Sequence, residues 1–294
     1  MNQNILITGA SSGFGLLSTR KLISRGHRVI ASMRDVGGRN AAVARDLEAL
    51  GAHIVEIDVT DDASVESGVA DAIARAGHID VLVNNAGVGV QGIVEMFTVE
   101  DLQRIFDINV YGVHRMNRAI LPHFHERGRG LLLQISSLLG RMTIPFYGPY
   151  NASKWALEGL TENYRTELAN FGIDVALVEP GGFPTEFMER LIRPSDDSRN
   201  EAYGDFVHAP AAAAEGFEQA LKANPQQDPQ LVADAICHVI ETPAGQRAFR
   251  TTVDRLTMGD AIDAYNEHLS KITSDIYQAF GSAPLLELKL PQAG

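Results

Sequence analysis

The chain has 294 residues, 45% of them hydrophobic, enough to bury the core of one large domain or two small ones. A formal net charge of −12 at pH 7 argues against nucleic acid and against an anionic membrane surface as partners. The single cysteine, Cys237, excludes an intrachain disulfide; with no leader-like start and no apolar run near the ~20 residues of a membrane span, the expected address is cytoplasmic.

Asn4–Thr8 is a short apolar run bounded by glycine and is predicted to be a buried strand. Directly after it stands Thr8-Gly9-Ala10-Ser11-Ser12-Gly13-Phe14-Gly15, followed by a helical pattern through Leu16, Leu17, Leu22 and Ile23. A strand, a glycine-rich turn and a helix start cradle a pyrophosphate, because glycines let the backbone approach the anion and free helix amides face it. The glycine spacing departs from the dinucleotide fingerprint G-x-G-x-x-G. A second strand over 28–33 ends in Met33-Arg34-Asp35, where such a fold meets the adenosine ribose. Arg34, helped by the hydroxyls of Ser11 and Ser12, favours the 2′-phosphate of NADP over NAD. Asp35 is the alternative ribose ligand if the strand runs two residues further.

The pattern then repeats: helix 39–50, strand 52–57 closed by Asp58, helix 62–76, and strand 79–84 running into Asn84-Asn85-Ala86-Gly87. Such alternation predicts an α/β fold with a doubly wound parallel sheet of about seven strands, which collects ligands at strand carboxyl ends. A long helix is expected over 99–126, with Asn109 pointing inward from its middle. Strand 131–136 delivers Ser137, and strand 174–178 ends in Glu179-Pro180-Gly181-Gly182-Phe183-Pro184-Thr185. Between them a helix begins near Tyr150. Its four-residue spacing puts Tyr150 and Lys154 on one face, where the ammonium is expected to lower the tyrosine's pKa toward a value suited to proton exchange with an alcohol or carbonyl. Taken alone, the pair is a spacing that many solvated helices show.

Residues 184–230 are the least regular section and are expected to form a helix-and-loop lid over the catalytic end. An apolar substrate pocket is predicted from Leu138, Met142, Phe146, Tyr147, Phe183, Phe187 and Met188, although packing of lid on core would use the same residue types. Arg141 and Arg193 are candidates for an acidic substrate, with surface arginines the plainer reading. Further along, a helix is expected over 231–242, a strand over 248–253 and a helix over 260–280, and the tail 285–290 alternates partly like a strand, to be docked on the body or on a partner. The nine histidines show no metal spacing, and no metal is expected.

With these motifs in order, the chain resembles the short-chain dehydrogenase/reductase family over about residues 1–260, most like its NADP-dependent hydroxysteroid and retinol dehydrogenase-like branch. The family's glycine turn matches Thr8 to Gly15, its adenine-contacting acid and apolar neighbour match Asp58 and Val59, and its Asn-Asn-Ala-Gly segment matches Asn84, Asn85, Ala86 and Gly87. The resemblance implies catalytic roles for Asn109, Ser137, Tyr150 and Lys154, and nicotinamide contacts for Pro180, Gly181 and Thr185. It implies a single Rossmann domain over 1–260 with residues 261–294 as a C-terminal helix and tail packed on it. The implied activity is hydride transfer between NADP and a carbonyl or secondary alcohol. Tyr150 would exchange the proton, Ser137 would bond the substrate oxygen, Lys154 would hold the nicotinamide ribose, and Asn109 would hold a water of a proton relay. A homodimer or homotetramer is implied as well. The alternatives are a non-catalytic dinucleotide sensor, which typically lacks the tyrosine or lysine, and a dehydratase or epimerase, which usually differs in glycine spacing and carries a larger C-terminal part.

Overall fold

The computed structural model describes residues 2–256 and 258–290. Seven strands form one parallel sheet in the order β3-β2-β1-β4-β5-β6-β7. The chain runs β1 (Asn4–Ile7), α1 (Gly13–Ser24), β2 (Arg28–Met33), α2 (Ala41–Ala49), β3 (His53–Glu56), α3 (Asp62–Ala76) and β4 (Val81–Asn84). It continues through α4 (Val99–Phe106), α5 (Gly112–Arg127), β5 (Gly130–Ile135), α6 (Gly148–Leu168) and β6 (Ile173–Pro180). Last come α7 (Asn200–Tyr203), α8 (Ala209–Ala223), α9 (Gln230–Glu241), β7 (Arg250–Val253) and α10 (Gly259–Ala279).

Strand alternation sorts the core into two layers. Ile5 and Ile7 face Leu22, Leu47, Val232 and Ile236 of the α1, α2 and α9 side, whereas Leu6, Ile30 and Leu82 face Val69, Met116, Ile120 and Phe124 of the α3 and α5 side. Strands buried on both faces must be apolar throughout, which is why β1 and β4 read as continuous hydrophobic runs. Sheet order reverses between β1 and β4. The crevice beyond their carboxyl ends is therefore the switch point at which ligands of such sheets bind.

Two expectations are corrected. The helix expected over 99–126 is interrupted: α4 gives way to a π-helical turn at Asp107–Tyr111 before α5 resumes. Helical periodicity does not distinguish one inserted residue, and such π turns gather at functional positions. The tail carries no strand either. It forms a 3-10 turn at Ala283–Leu286, and Lys289 N then donates to Ala169 O at 2.9 Å, so the leucine-rich end docks on the body of the same chain. Residues 184–230 hold 3-10 turns at Met188–Arg190 and Gly204–His208 together with α7 and α8. Among the described residues no helix is long and apolar enough to cross a membrane.

Candidate active site

A cavity of about 870 Å³ runs along the carboxyl edge of the sheet. One end is lined by Arg34, Asp58 and Val59 beyond β2 and β3, its middle by Gly9, Ser11, Ser12, Gly13 and Phe14 beyond β1 and by Asn85, Ala86 and Gly87 beyond β4, and its far end by Ser137, Leu138, Tyr147, Tyr150, Lys154, Pro180, Gly181, Phe183, Thr185, Phe187 and Met188. Side chains separated by more than 170 residues in the sequence thus share one wall.

The turn after β1 is built for an anion. Gly9 and Gly13 sit at φ 68° and 52°, a region that L side chains avoid. Ser12 caps α1 without a side-chain hydrogen bond, which leaves the first-turn amides to face the cavity. The Gly13 amide already donates to the Glu186 carboxylate at 3.3 Å, so an acidic group from the segment after β6 stands where a pyrophosphate oxygen would fit. Gly15 lies behind the turn rather than on the cavity. A Cβ there would meet Gly9 O at 2.3 Å and Asn85 Nδ2 at 2.5 Å. Asn85 Nδ2 instead donates to Thr8 O and Gly9 O at 2.9 and 3.2 Å, and Thr8 Oγ1 accepts from the amides of Asn85 and Ala86 at 3.0 Å each. The glycine turn and the Asn-Asn-Ala-Gly segment are one hydrogen-bonded unit, a fit for a dinucleotide.

At the β2 and β3 end, Arg34 reaches Asp58 at 3.5 Å, and both line the cavity. Burial would raise the Asp58 carboxyl, but the Thr60 amide and hydroxyl and then Arg34 outweigh it and hold it below its ordinary range. β2 ends at Met33, so Asp35 leaves the strand direction: it takes φ 52° and turns its carboxylate to the Arg39 amide at 3.1 Å, off the cavity wall. Arg39 and Asn40, absent from the sequence reading, line the cavity beside Arg34. The Gly37-Gly38 pair before them is a turn signal that would have placed them there.

At the far end Tyr150 and Lys154 project from the first turns of α6, and both are buried. Lys154 Nζ donates to Ile135 O at 2.8 Å and lies 5.7 Å from the centre of the Tyr150 ring. Ser137 follows β5; its Oγ accepts from Leu139 N at 3.1 Å and faces the phenol. Ser136, its neighbour, turns its hydroxyl toward Glu158 instead, as strand alternation requires. The expected lowering of the tyrosine's pKa is not what the protein by itself produces. Burial pushes Tyr150 up to about 12, with the Ser137 hydrogen bond working against it. Burial also pulls Lys154 down to about 8 against the field of Glu158. Desolvation penalises both charged forms, and at this depth it outweighs a cation that bonds a carbonyl rather than the phenol.

Asn109, in the π turn, is buried behind Lys154. Its Oδ1 accepts from Val88 N at 2.9 Å, and its Nδ2 donates to Val88 O at 2.9 Å and Ser153 Oγ at 3.0 Å. The side chain's two donors are thereby spent on bracing the β4 exit and α6. Met142 and Phe146 stand off the main cavity: Met142 packs on the cluster of Leu139, Tyr147 and Tyr150, and Phe146 lines a shallow groove with Val94 and Trp155. In their stead Val88, Gly89, Ile144, Ile192, Phe217 and Met258 complete the far wall. Phe217 and Met258 come from α8 and the approach to α10, and no local pattern marks them. Arg141 is neither a surface residue nor on the cavity but is buried against Glu158 and Glu179, and Arg193 bonds Gln91. The only trio of metal-ligand type among the described residues is His27, Cys237 and Glu241. His27 Nδ1 accepts from Gln3 N at 3.2 Å, which puts the ring proton on Nε2, the atom a metal would need free.

The sequence profile of the short chain dehydrogenase family matches residues 3–195. The chain is 35% identical to 3-ketodihydrosphingosine reductase of Bacteroides thetaiotaomicron, covering 86% of this chain and 88% of the relative. It is 35% identical to human retinol dehydrogenase 8 over 82% and 78% of the two chains, and 36% identical to rat estradiol 17-beta-dehydrogenase 1 over 81% and 70%. Among solved structures, a short-chain dehydrogenase from Streptomyces avermitilis is 31% identical with TM-score 0.74, covering 96% of this chain and 98% of that one. A 3-ketoacyl-(acyl-carrier-protein) reductase from Brucella melitensis complexed with NADH is 27% identical with TM-score 0.71, covering 86% and 96%. A metagenomic short-chain oxidoreductase in complex with NADP is 28% identical with TM-score 0.65, covering 85% and 96%. With sheet order, glycine turn and profile in agreement, the chain belongs to the short-chain dehydrogenase/reductase family, in its hydroxysteroid and retinol dehydrogenase-like branch, and is an oxidoreductase of alcohols and carbonyls that uses a nicotinamide cofactor.

Proposed function

We propose that the protein is an NADPH-dependent carbonyl reductase in which Tyr150 is the general acid. The observation that carries this reading is the convergence of Ser137, Tyr150 and Lys154 at one end of the cavity whose middle is the glycine turn. A bound nicotinamide supplies the hydride; the chain's own residues orient the carbonyl and manage one proton. Ser137 Oγ holds the substrate oxygen and shares the charge that develops on it. Tyr150 Oη delivers its proton to that oxygen, and in the reverse direction takes it back from the alcohol. A phenol pushed up to about 12 stays protonated at neutral pH, which is the state carbonyl reduction needs. Lys154 holds the ribose hydroxyls and adds positive charge beside the phenol, while Asn109 braces Val88 and Ser153 on either side of it.

Preference for NADP rests on Arg34 and Arg39, two guanidinium groups beside the adenosine end, and on Asp35 being turned away. An apolar ketone or aldehyde is the proposed substrate, since Leu138, Tyr147, Phe183, Phe187 and Met188 line the far wall with Ile144, Ile192, Phe217 and Met258. Segment 184–230 acts as its lid, within a domain of residues 1–260 on which 261–294 pack. A homodimer or homotetramer in the cytoplasm is the proposed assembly, supported by the half-exposed Tyr111, Trp155 and Leu160 of the π turn and α6. The test is oxidation of NADPH and of NADH across a panel of ketones, aldehydes, steroids and retinoids. Tyr150→Phe is expected to cut turnover by about 10²–10⁴-fold with cofactor affinity retained, the range of a lost general acid. Substantial residual turnover in that variant sinks the assignment.

A further inference from the structure

Behind Tyr150 and Lys154 lies a buried charge cluster that the hydride-transfer chemistry leaves unused. Arg141, in the turn after β5, places Nε at 3.1 Å from Glu179 of β6 and bonds Glu158 of α6 through NH2. Arg250 of β7 places Nε at 3.1 Å from Glu158 and 3.3 Å from Glu179. Their side chains are 5%, 0%, 2% and 8% exposed for Arg141, Glu179, Glu158 and Arg250, and only Glu162, one turn beyond Glu158, reaches solvent at 38%. Glu179 Oε2 is completed by Asn266 of α10 at 2.6 Å and Thr252 at 3.3 Å.

Stability does not account for this arrangement. Desolvating each ion costs several kcal/mol, and apolar residues of similar volume hold elements together as well or better. Position does account for it. Arg141 lies four residues after Ser137, Glu158 one helical turn after Lys154, and Glu179 directly before Pro180. We infer that Glu158 is a positioning residue of the reaction: gripped by Arg141 and Arg250, its carboxylate sustains the charge of Lys154 and holds α6 in register with Ser137 and Pro180.

Lys154 is buried, its one bonded partner is a neutral carbonyl, and Glu158 is the carboxylate whose field favours its ammonium. The groups facing Glu158 are Lys154 and Glu162 from its own helix, Arg141 and the Ser136 hydroxyl from the end of β5 and the turn beyond it, Glu179 from β6 and Arg250 from β7; the half-buried Arg165 acts on Glu162. Burial and then Glu179 push the Glu158 carboxyl up, while Arg141, the Ser136 hydroxyl and the Arg250 guanidinium at 3.1 Å favour its ionised form, the state in which it supports the Lys154 ammonium.

The inference rests on the proposed reductase reading, and its test separates the two. In Glu158→Gln, which keeps shape and removes the charge, Lys154 loses its proton at lower pH. The basic limb of kcat against pH is expected to move down by about 0.5–1 unit, with KM and NADPH affinity held within about twofold. Glu158→Asp, which keeps the charge, is expected to restore the limb. Should Glu158→Gln fail to fold, the apolar pair Glu158→Met with Arg141→Met leaves Glu179 paired to Arg250 and is expected to shift the limb the same way. A 13Cε titration of Lys154 reads the same shift without turnover. A protein that reduces no carbonyl refutes the reaction and leaves this inference to the titration. An unmoved Lys154 titration, or a rate lost equally at all pH, overturns it.

Discussion

The tightest constraint on the glycine turn after β1 is at Gly15, and substituting alanine there measures it. Gly15 needs no unusual φ; its restriction is space. The added methyl carbon would stand 2.3 Å from Gly9 O, 2.5 Å from Asn85 Nδ2 and 2.9 Å from Gly9 C, well inside an unstrained contact of ~3.5 Å. Neither neighbour yields easily: one is backbone, and the other is the amide that donates to Thr8 O and Gly9 O. A displacement of ~1 Å costs about 1–3 kcal/mol as overpacking, and losing one of the Asn85 bonds adds about 1 kcal/mol. The sum of about 2–4 kcal/mol corresponds to a fall in Tm of about 5–10 °C in a domain of this size. Because the turn itself must shift, NADPH affinity is expected to fall about tenfold or more, read by quenching of the intrinsic fluorescence. Gly216→Ala is the control of opposite sign. It lies on the exposed face of α8 with nothing within 4 Å of the new methyl, so it should stabilise by about 0.5–1 kcal/mol. A Gly15→Ala protein as stable as the parent, or less affected than Gly216→Ala, refutes the packing argument for this turn.

Two other outcomes follow from the site and from the fold beneath it. Arg34→Asp combined with Arg39→Gln is expected to weaken NADPH binding by about 10–100-fold while changing NADH binding far less, since only the former carries the 2′-phosphate; an unchanged preference in steady-state kinetics removes both arginines from the cofactor reading. Asp80 ties β1, β4 and α5 together by accepting from Asn4 N at 2.9 Å and Arg127 at 2.8 Å. Burial would raise its carboxyl, yet these bonds hold it below the ordinary range, so its contribution is complete at neutral pH and is lost as pH falls through its depressed folded value. Asp80→Asn should therefore cost about 1–2 kcal/mol in denaturant unfolding at neutral pH, with the gap closing as pH falls from the free carboxylate range through the depressed folded value; a gap independent of pH would contradict the assignment.

The sheet was legible in the sequence because its strands are buried on both faces. Ile5-Leu6-Ile7 and Val81-Leu82-Val83 are apolar without interruption, and the glycines that follow β1 require the turn that follows it. The same local rules placed Ser137 beyond β5 and Tyr150 and Lys154 on one face of α6, since period and spacing are properties of short stretches. What they left undecided is whatever depends on depth or on distant partners. A cation one turn from a phenol lowers its pKa in water; buried together, both charged forms are penalised, and Tyr150 rises instead. Arg141 resembled a surface or substrate arginine because the carboxylates that hold it, Glu158 and Glu179, come from other elements. Phe217 and Met258 joined the cavity wall, and Met142 and Phe146 left it, by the path of the chain after β6. The sequence alone determined the layers, the glycine turn and the spacing that sets Ser137, Tyr150 and Lys154 on their elements, because each is encoded within about one turn or strand. The charge states around Lys154 and the shape of the substrate wall were decided only in the tertiary structure, where desolvation and contact between remote segments first exist.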